Sequence, residues 1–261
     1  MSTRAVAHPS ETITLVRGRR WLVPAVLGAT VLMTTACGPN DSVGSAFGSS
    51  DEVTPVAAGS GSAAGELAAL PVKGRAPKTG YDRKQFGPAW ADTDHDGCDQ
   101  RNQVLKRDME NETFKPRTHD CVVMSGDLHD AYTGRKINFH RGKTSSAVQI
   151  DHVVALSDAW QKGAQALDAD TRERLATDPL NLMAVDGPTN NNKRDGDAAT
   201  WLPPYSDYRC AYVARQVAVK TKYKLWVTAG ERDAIGRILQ SCPKRPATTE
   251  ADATKPAYTL R

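Results

Sequence analysis

Four polar side chains in the second half of the sequence are of the types that an active site needs: Asp151, His152, Asn181 and Asn190. An imidazole titrates near neutral pH and can transfer protons, while carboxylate and amide oxygens suit hard divalent cations. An Asp-His pair alone is more often structural than catalytic. The two later asparagines, followed by Lys193, complete a pattern within 43 residues that merits a structural interpretation.

Two strands and a helix are needed to bring these side chains together. Residues 148–156 are apolar and β-branched on both sides of the Asp-His pair, which predicts a buried strand. Residues 180–185 predict a second short strand that contains Asn181, and Pro188 suits the first turn of a helix that carries Asn190. A strand–strand–helix unit would place all four side chains at one site.

This order of motifs resembles the HNH (ββα-metal) nuclease superfamily. The matching residues are the Asp151-His152 pair, Asn181-Leu182, and Asn190 three residues before Lys193. The longer segments IDHVVALSDAW, DPLNLMAV, NNNKRDGDAATWLPP and YVARQVAVKTKYKL are similar to exported bacterial proteins that carry the C-terminal nuclease domain of GmrSD-type restriction endonucleases. The resemblance implies an α+β fold with a ββα-metal core, flanking helices and short strands.

The resemblance also implies a role for each residue in a metal-dependent endonuclease that hydrolyses phosphodiester bonds. His152 would be the general base, and Asp151 and Asn190 would hold one divalent cation, Mg²⁺ in preference to Mn²⁺. Asn181 would brace the loop that carries His152 by hydrogen bonds. Asn191 is a rival for Asn190, because the run of three asparagines blurs the register.

Basic residues beside the motif are candidates for substrate contacts. Lys193 and Arg194 are expected to bind nucleic acid, DNA in preference to RNA, although the sequence does not separate the two or exclude a non-specific nuclease. Four later basic residues suit either phosphate contacts or a solvated helix end: Arg215, Lys220, Lys222 and Lys224. The alternative from another class is a cell-envelope binding lipoprotein that has lost catalysis, and no protein partner is identifiable.

Composition excludes some classes but does not identify a function. The chain has 261 residues, of which 25% are charged and 39% hydrophobic, too polar for a protein that crosses a membrane many times. Lys and Arg number 34 against 30 Asp and Glu, but much of the excess precedes Cys37. The remaining charges nearly balance, so no global field argues for or against nucleic acid.

The N-terminus predicts export. Three arginines between residues 17 and 20 precede an uncharged segment, 21–36, that is shorter than the roughly 20 residues of a spanning helix. The residues Thr34-Thr35-Ala36-Cys37 resemble a lipobox, which would make Cys37 the lipidated first residue of a protein held at the outer face of the cell membrane. Ordinary signal cleavage, which would leave the protein extracellular, and a permanent anchor are the alternatives.

The other four cysteines form an even set in a chain predicted to be exported, which predicts two disulfides. Their positions are Cys98, Cys121, Cys210 and Cys242. Proximity in sequence favours Cys98–Cys121 and Cys210–Cys242 among three connectivities. A four-cysteine zinc site is the alternative, although no C-x-x-C pair is present.

The chain divides into four predicted regions: a signal peptide, 1–37; a flexible linker rich in Gly, Ser and Ala, 38–76; the nuclease domain, 77–242, with its core at about 148–204; and a disordered tail, 243–261. Further helices are predicted after Asp99, Asp170 and Thr228 and over residues 207–223, and further strands over 121–124 and 136–139. The segment from Asp92 to Gly97 resembles half of a calcium loop, with a turn as its simpler interpretation.

Overall fold

A computed structural model describes residues 61–260 of the chain. Within them the α-helices are α1 Ala63–Ala69, α2 Gln100–Asp108, α3 Leu156–Gln161, α4 Ala169–Thr177, α5 Gly187–Lys193, α6 Arg209–Lys222 and α7 Ala229–Gln240. The strands are β1 Met109–Phe114, β2 Val123–His129, β3 Lys136–His140, β4 Val148–His152 and β5 Leu182–Asp186. Short 3₁₀-helices lie at Arg83–Phe86, Ser145–Ala147, Ala164–Ala166, Ser206–Tyr208, Glu250–Thr254 and Ala257–Leu260.

The strands form two small antiparallel sheets. One has the order β1-β2-β3, and the other pairs β4 with β5. In the second sheet Asp151 lies opposite Met183, and His152 lies opposite Leu182. Helix α5 follows β5 directly and packs against both strands. The mixture of helices with small antiparallel sheets confirms the predicted α+β class.

The two faces of the β4–β5 sheet pack on different parts of the core, as the two-residue period of a strand requires. Ile150, Leu182 and Ala184 join the apolar cluster beneath the three-stranded sheet. Met183 and Val185 join the cluster built around α6. Residues 211–220 of α6 are all buried, so this helix is enclosed on every side and anchors the site-bearing sheet.

Most predicted elements are present with shifted ends. Asp99 caps α2 by accepting a hydrogen bond from the Asn102 amide, as the sequence predicts, and Thr228 caps α7 in the same way. Helix α4 begins two residues earlier than expected, because Asp168 and not Asp170 accepts from the Thr171 amide. Strand β4 ends at His152, and residues 153–155 form a loop before α3.

The predicted flexible linker, 38–76, contains a segment that is folded. Helix α1 lies within residues 38–76, and its Leu67 packs in the α6 cluster with an exposure of 6%. Val72 then pairs with Val227. Small residues hid this segment in the sequence, because alanines contribute little hydrophobicity yet allow close helix packing. The signal peptide, its Cys37 and the linker up to residue 60 lie outside the described residues.

The predicted disordered tail is folded up to residue 260. Ala253 and Ala257 are buried in its two 3₁₀-helices. The hydroxyl of Tyr258 donates to Glu110 Oε1 at 2.5 Å, which ties the tail to β1. Contacts with distant residues, which a Pro- and Thr-rich composition does not reveal, therefore order the tail.

Both favoured disulfides are present: Cys98–Cys121 and Cys210–Cys242. This pairing excludes the four-cysteine zinc site. Within residues 61–260, no helix has the length and apolar character needed to span a membrane.

Candidate active site

The β4–β5 sheet and α5 bring the predicted residues to one cleft of about 430 Å³. Asp151, His152 and Asn190 line this cleft, as does Asn191. Asn181 lies just before β5 and is fully buried behind them. The strand–strand–helix order thus places the predicted side chains together, as the sequence indicated.

Asp151 is held by two buried groups. The Tyr132 hydroxyl donates to its Oδ2 at 2.5 Å, and the Lys193 ammonium lies 2.8 Å from the same oxygen and 3.0 Å from Oδ1. Lys193 also donates to the backbone carbonyl of His152 at 2.7 Å. Each carboxylate oxygen has two lone pairs, so Oδ1, which accepts from Lys193, keeps acceptor capacity.

His152 is held as a neutral imidazole with a defined tautomer. Its Nε2 lies 2.9 Å from the carbonyl oxygen of Ala176. Since a carbonyl only accepts, Nε2 must carry the proton, which leaves the lone pair on Nδ1. Burial, aided by the charge of Arg83, lowers the pKa of His152 to about 3. At neutral pH the ring is therefore uncharged, with the Nδ1 lone pair unprotonated.

Asn181 fixes the chain that follows His152. Its Oδ1 accepts from the Val154 amide at 2.8 Å, and its Nδ2 donates to the carbonyls of Val154 and Leu175 at 3.3 and 3.1 Å. The Val153 amide donates to the Asn181 carbonyl at 2.8 Å. This one side chain thus holds the loop after β4 against the end of α4, which also carries the Ala176 carbonyl that orients His152.

Helix geometry distinguishes the two candidate asparagines. Asn190 lies three residues before Lys193 and so shares the helix face that reaches Asp151. Its Nδ2 donates to Gln149 Oε1 at 2.9 Å, and the residue is half-buried, whereas Asn191 is exposed. The donation turns the amide nitrogen toward β4. Asn190 and Asp151 therefore offer a carboxylate and an amide oxygen at one cleft, a donor set that fits a hard cation such as Mg²⁺.

Lys193 does not meet its expected role as a substrate contact. Its ammonium is fully buried and bound to Asp151, so it can reach no phosphate in the cleft. Arg194 differs, because it is exposed, caps α5 with a φ of 55°, and lines the cleft. The chain reverses direction at Arg194, which places the two basic neighbours in opposite environments.

The later basic residues are mostly structural. Arg215 is 1% exposed and donates to the carbonyls of Pro179, Leu180 and Leu182 ahead of β5. Lys220 is fully buried against Asp158 and Glu231. Neither residue is at a solvated helix end or available to a phosphate.

Three residues of the cleft were missed by the sequence interpretation: Arg83, Trp90 and Arg101. The guanidinium of Arg101 lies 5.9 Å from the centre of the Trp90 ring, a cation–π distance. All three precede the motif by about 50 residues or more. No local pattern in the sequence links them to His152. The fold alone reveals that two further cations, Arg83 and Arg101, line the cleft.

The acidic segment before α2 forms a turn. Asp92, Asp94 and Asp96 each place a carboxylate oxygen within 4.8 Å of the other two. Among residues 61–260, this is the one group of three Asp, Glu, His or Cys side chains that is close enough to share a cation. The backbone amide of Gly97 donates to Asp92, and the side-chain amide of Gln103 donates to Asp94 and Asp96. These hydrogen bonds match the simpler interpretation of a turn that leads into α2.

Comparisons with known proteins match the part of the chain that carries the cleft to one protein family. The model of the family described as GmrSD restriction endonucleases, C-terminal domain, matches residues 99–238, which include Asp151, His152, Asn181 and Asn190. A protein of Arthroderma benhamiae named as an uncharacterized secreted protein is 35% identical over 178 residues, which cover 67% of this chain and 82% of that protein. No solved structure matches the chain.

Proposed function

Because the chain belongs to the family of GmrSD restriction endonucleases, C-terminal domain, we propose that it is an exported, metal-dependent endonuclease of the HNH type that hydrolyses DNA phosphodiester bonds. The family assignment supports a nuclease role. The observation that carries the finer proposal is the hydrogen bond between His152 Nε2 and the Ala176 carbonyl, which assigns the free lone pair to Nδ1, in a cleft that Asp151 and Asn190 also line.

His152 acts as the general base in this proposal. A phosphodiester resists hydrolysis because its anionic oxygens repel a nucleophile. A neutral water molecule attacks it slowly, so a base that removes a proton from the attacking water speeds the reaction. Nδ1 accepts that proton, and the Ala176 carbonyl then interacts favourably with the imidazolium that forms. Burial of the ring opposes the imidazolium, so the proton is readily passed on after the bond breaks.

Asp151 and Asn190 hold the divalent cation, with Mg²⁺ preferred and Mn²⁺ as the alternative. A bound cation supplies positive charge for the phosphate and the leaving oxygen. Tyr132 and Lys193 fix the orientation of the Asp151 carboxylate, and Gln149 fixes the amide of Asn190. Asn181 positions the loop after His152. Arg83, Arg101 and Arg194 face the anionic strand.

Export is supported by two independent observations. Two disulfides are typical of proteins that fold in an oxidising compartment, and the relative from Arthroderma benhamiae is named as secreted. Together with the predicted signal peptide, these observations support a location outside the cytoplasm, and a lipid anchor at Cys37 is part of the proposal. Mass spectrometry of the membrane fraction would test it by detecting, or failing to detect, a diacylglyceryl group on Cys37.

The deciding experiment measures nicking of supercoiled plasmid by the purified, oxidised protein in Mg²⁺, Mn²⁺ or EDTA. Cleavage should require the metal and should fall at least about 100-fold in His152→Ala, since a positioned general base contributes roughly that factor. His129→Ala is the matched control, because that histidine lies on the exposed face of β2.

An RNA of the same sequence tests the substrate. Cleavage of RNA without cleavage of DNA would replace the proposed substrate. Wild-type activity in a folded His152→Ala protein would remove the role assigned to the imidazole, and inactivity on both nucleic acids with either metal would favour the binding lipoprotein.

A further inference from the structure

A second cavity, of about 340 Å³, lies beside the cleft and shares His152 with it. Arg83, Trp90 and Leu156 also line both spaces. The remaining walls are largely apolar and include Phe86, Pro88, Ala89, Ala176 and Leu182. A group bound in this cavity therefore lies one side chain away from the bond that His152 would hydrolyse.

The properties of this cavity are those of a nucleobase site. It offers apolar and aromatic walls for a flat ring, and cations at the rim where the attached phosphate would lie. Arg83 and Lys84 are those rim cations, both exposed. Trp90 adopts a φ of 59°, a conformation that bulky residues seldom adopt, and it lies between the cavity and the cleft.

We propose that this cavity binds the unpaired base next to the scissile phosphate, so that the preferred substrate is single-stranded DNA. The inference rests on the proposed nuclease function. A base in a duplex is stacked and paired, and it would have to leave the helix before it could enter the cavity. A single strand has no base pair to break and can stack its base on an aromatic wall.

The test compares initial cleavage rates on one labelled oligonucleotide, single-stranded and annealed to its complement. The oxidised full chain should cut the single strand at least about tenfold faster. Trp90→Ala should lower the single-strand rate by about tenfold and bring the ratio of the two rates toward one, since base stacking contributes roughly that much. Trp90→Phe should restore most of the preference, because it keeps an aromatic ring at this position.

The matched control is Trp226→Ala. Trp226 is also half-buried and has a cation over its ring, Lys73 at 5.1 Å, but it lines neither space. This variant should keep the wild-type ratio. Equal rates on both substrates in the wild type, or equal losses on both in Trp90→Ala, would overturn the proposal. Faster cutting of a single-stranded RNA than of the DNA would overturn the choice of DNA.

Binding in EDTA separates this inference from the nuclease function. Anisotropy of the labelled single strand should show tighter binding than that of the duplex, and Trp90→Ala should lose the difference. If the protein binds the single strand more tightly but cleaves neither substrate, the proposed nuclease function fails and the base site is still supported. Should it cleave while binding both forms equally, the base site fails alone.

Discussion

At the residue scale, burial determines what each polar side chain of the cleft can do. His152 is neutral because burial disfavours the imidazolium, and the Ala176 carbonyl selects its tautomer. Lys193 and Arg194 are adjacent in sequence, yet one is buried against Asp151 and the other is exposed. A basic residue beside a catalytic motif is therefore not automatically a phosphate ligand.

The contrast between these two neighbours is directly testable. Lys193→Met should lower the free energy of unfolding by about 3–5 kcal/mol, because it leaves the Asp151 carboxylate buried without its cation. Arg194→Gln should change stability by less than about 0.5 kcal/mol but should reduce the slope of log affinity against log salt by about 1.

Urea unfolding and oligonucleotide binding in EDTA at several salt concentrations would measure the two effects. A Lys193→Met protein as stable as the wild type, with a reduced salt slope, would instead support the phosphate contact expected from the sequence.

At the element scale, the site depends on elements that lie far from the motif in sequence. Helix α1 packs on the cluster around α6, and the same cluster holds Met183 and Val185 of β5. The tail is linked to the site-bearing sheet through Arg107 of α2. The guanidinium of Arg107 donates to the carbonyl of Ala253 in the tail and to the carbonyl of Leu182 in β5. The nuclease fold therefore begins before residue 77 and continues past residue 242.

A substitution in α1 tests whether this helix belongs to the fold. Leu67→Ala should lower the free energy of unfolding by about 2–5 kcal/mol, the usual loss for a buried leucine. Val72→Ala is the control, because Val72 is 41% exposed and should change stability by less than about 0.5 kcal/mol. Thermal and urea unfolding would measure both. Equally small effects would restore the flexible linker predicted from composition.

At the scale of the whole molecule, a network of six charges, five of them buried, joins segments from across the sequence. Lys162 binds Asp158, Asp197 and Glu231 at 2.8, 2.7 and 2.6 Å, and Lys220 and the partly exposed Arg75 complete the set. Three cations thus balance three buried carboxylates. Because removing one partner leaves a buried charge uncompensated, the network favours the one arrangement of helices that pairs all six.

Acid should weaken this network through Asp197. Burial alone would raise the pKa of that carboxyl, but the hydrogen bond and charge of Lys162, with the charge of Arg75, lower it to about 2. The folded pKa lies below the ordinary value of 3.8. Asp197 therefore contributes stability above about pH 4 that is lost as the pH falls toward 2.

Urea unfolding between pH 2 and pH 6, compared for the wild type and Asp197→Asn, would measure this contribution. The variant should lose less stability on acidification, while Asp233→Asn, at an exposed position of α7, should keep the wild-type profile. Parallel curves for the wild type and Asp197→Asn would contradict the role of this ion pair.

The sequence alone determined those features whose signals act over a few residues. Asp99 and Thr228 cap their helices through amides three residues away, apolar runs form much of β4 and β5, and the order of Asp151, His152, Asn181 and Asn190 predicted that these side chains lie close together. The disulfides joined the cysteines nearest in sequence.

The tertiary structure alone decided burial and long-range pairing. It buried Lys193, brought Arg83, Trp90 and Arg101 to the cleft, and ordered α1 and the tail. The ion pair of Arg75 with Asp197 joins residues 122 positions apart. Desolvation and Coulomb energies depend on distance in space, so a pattern read along the chain carries no signal of which charges will meet.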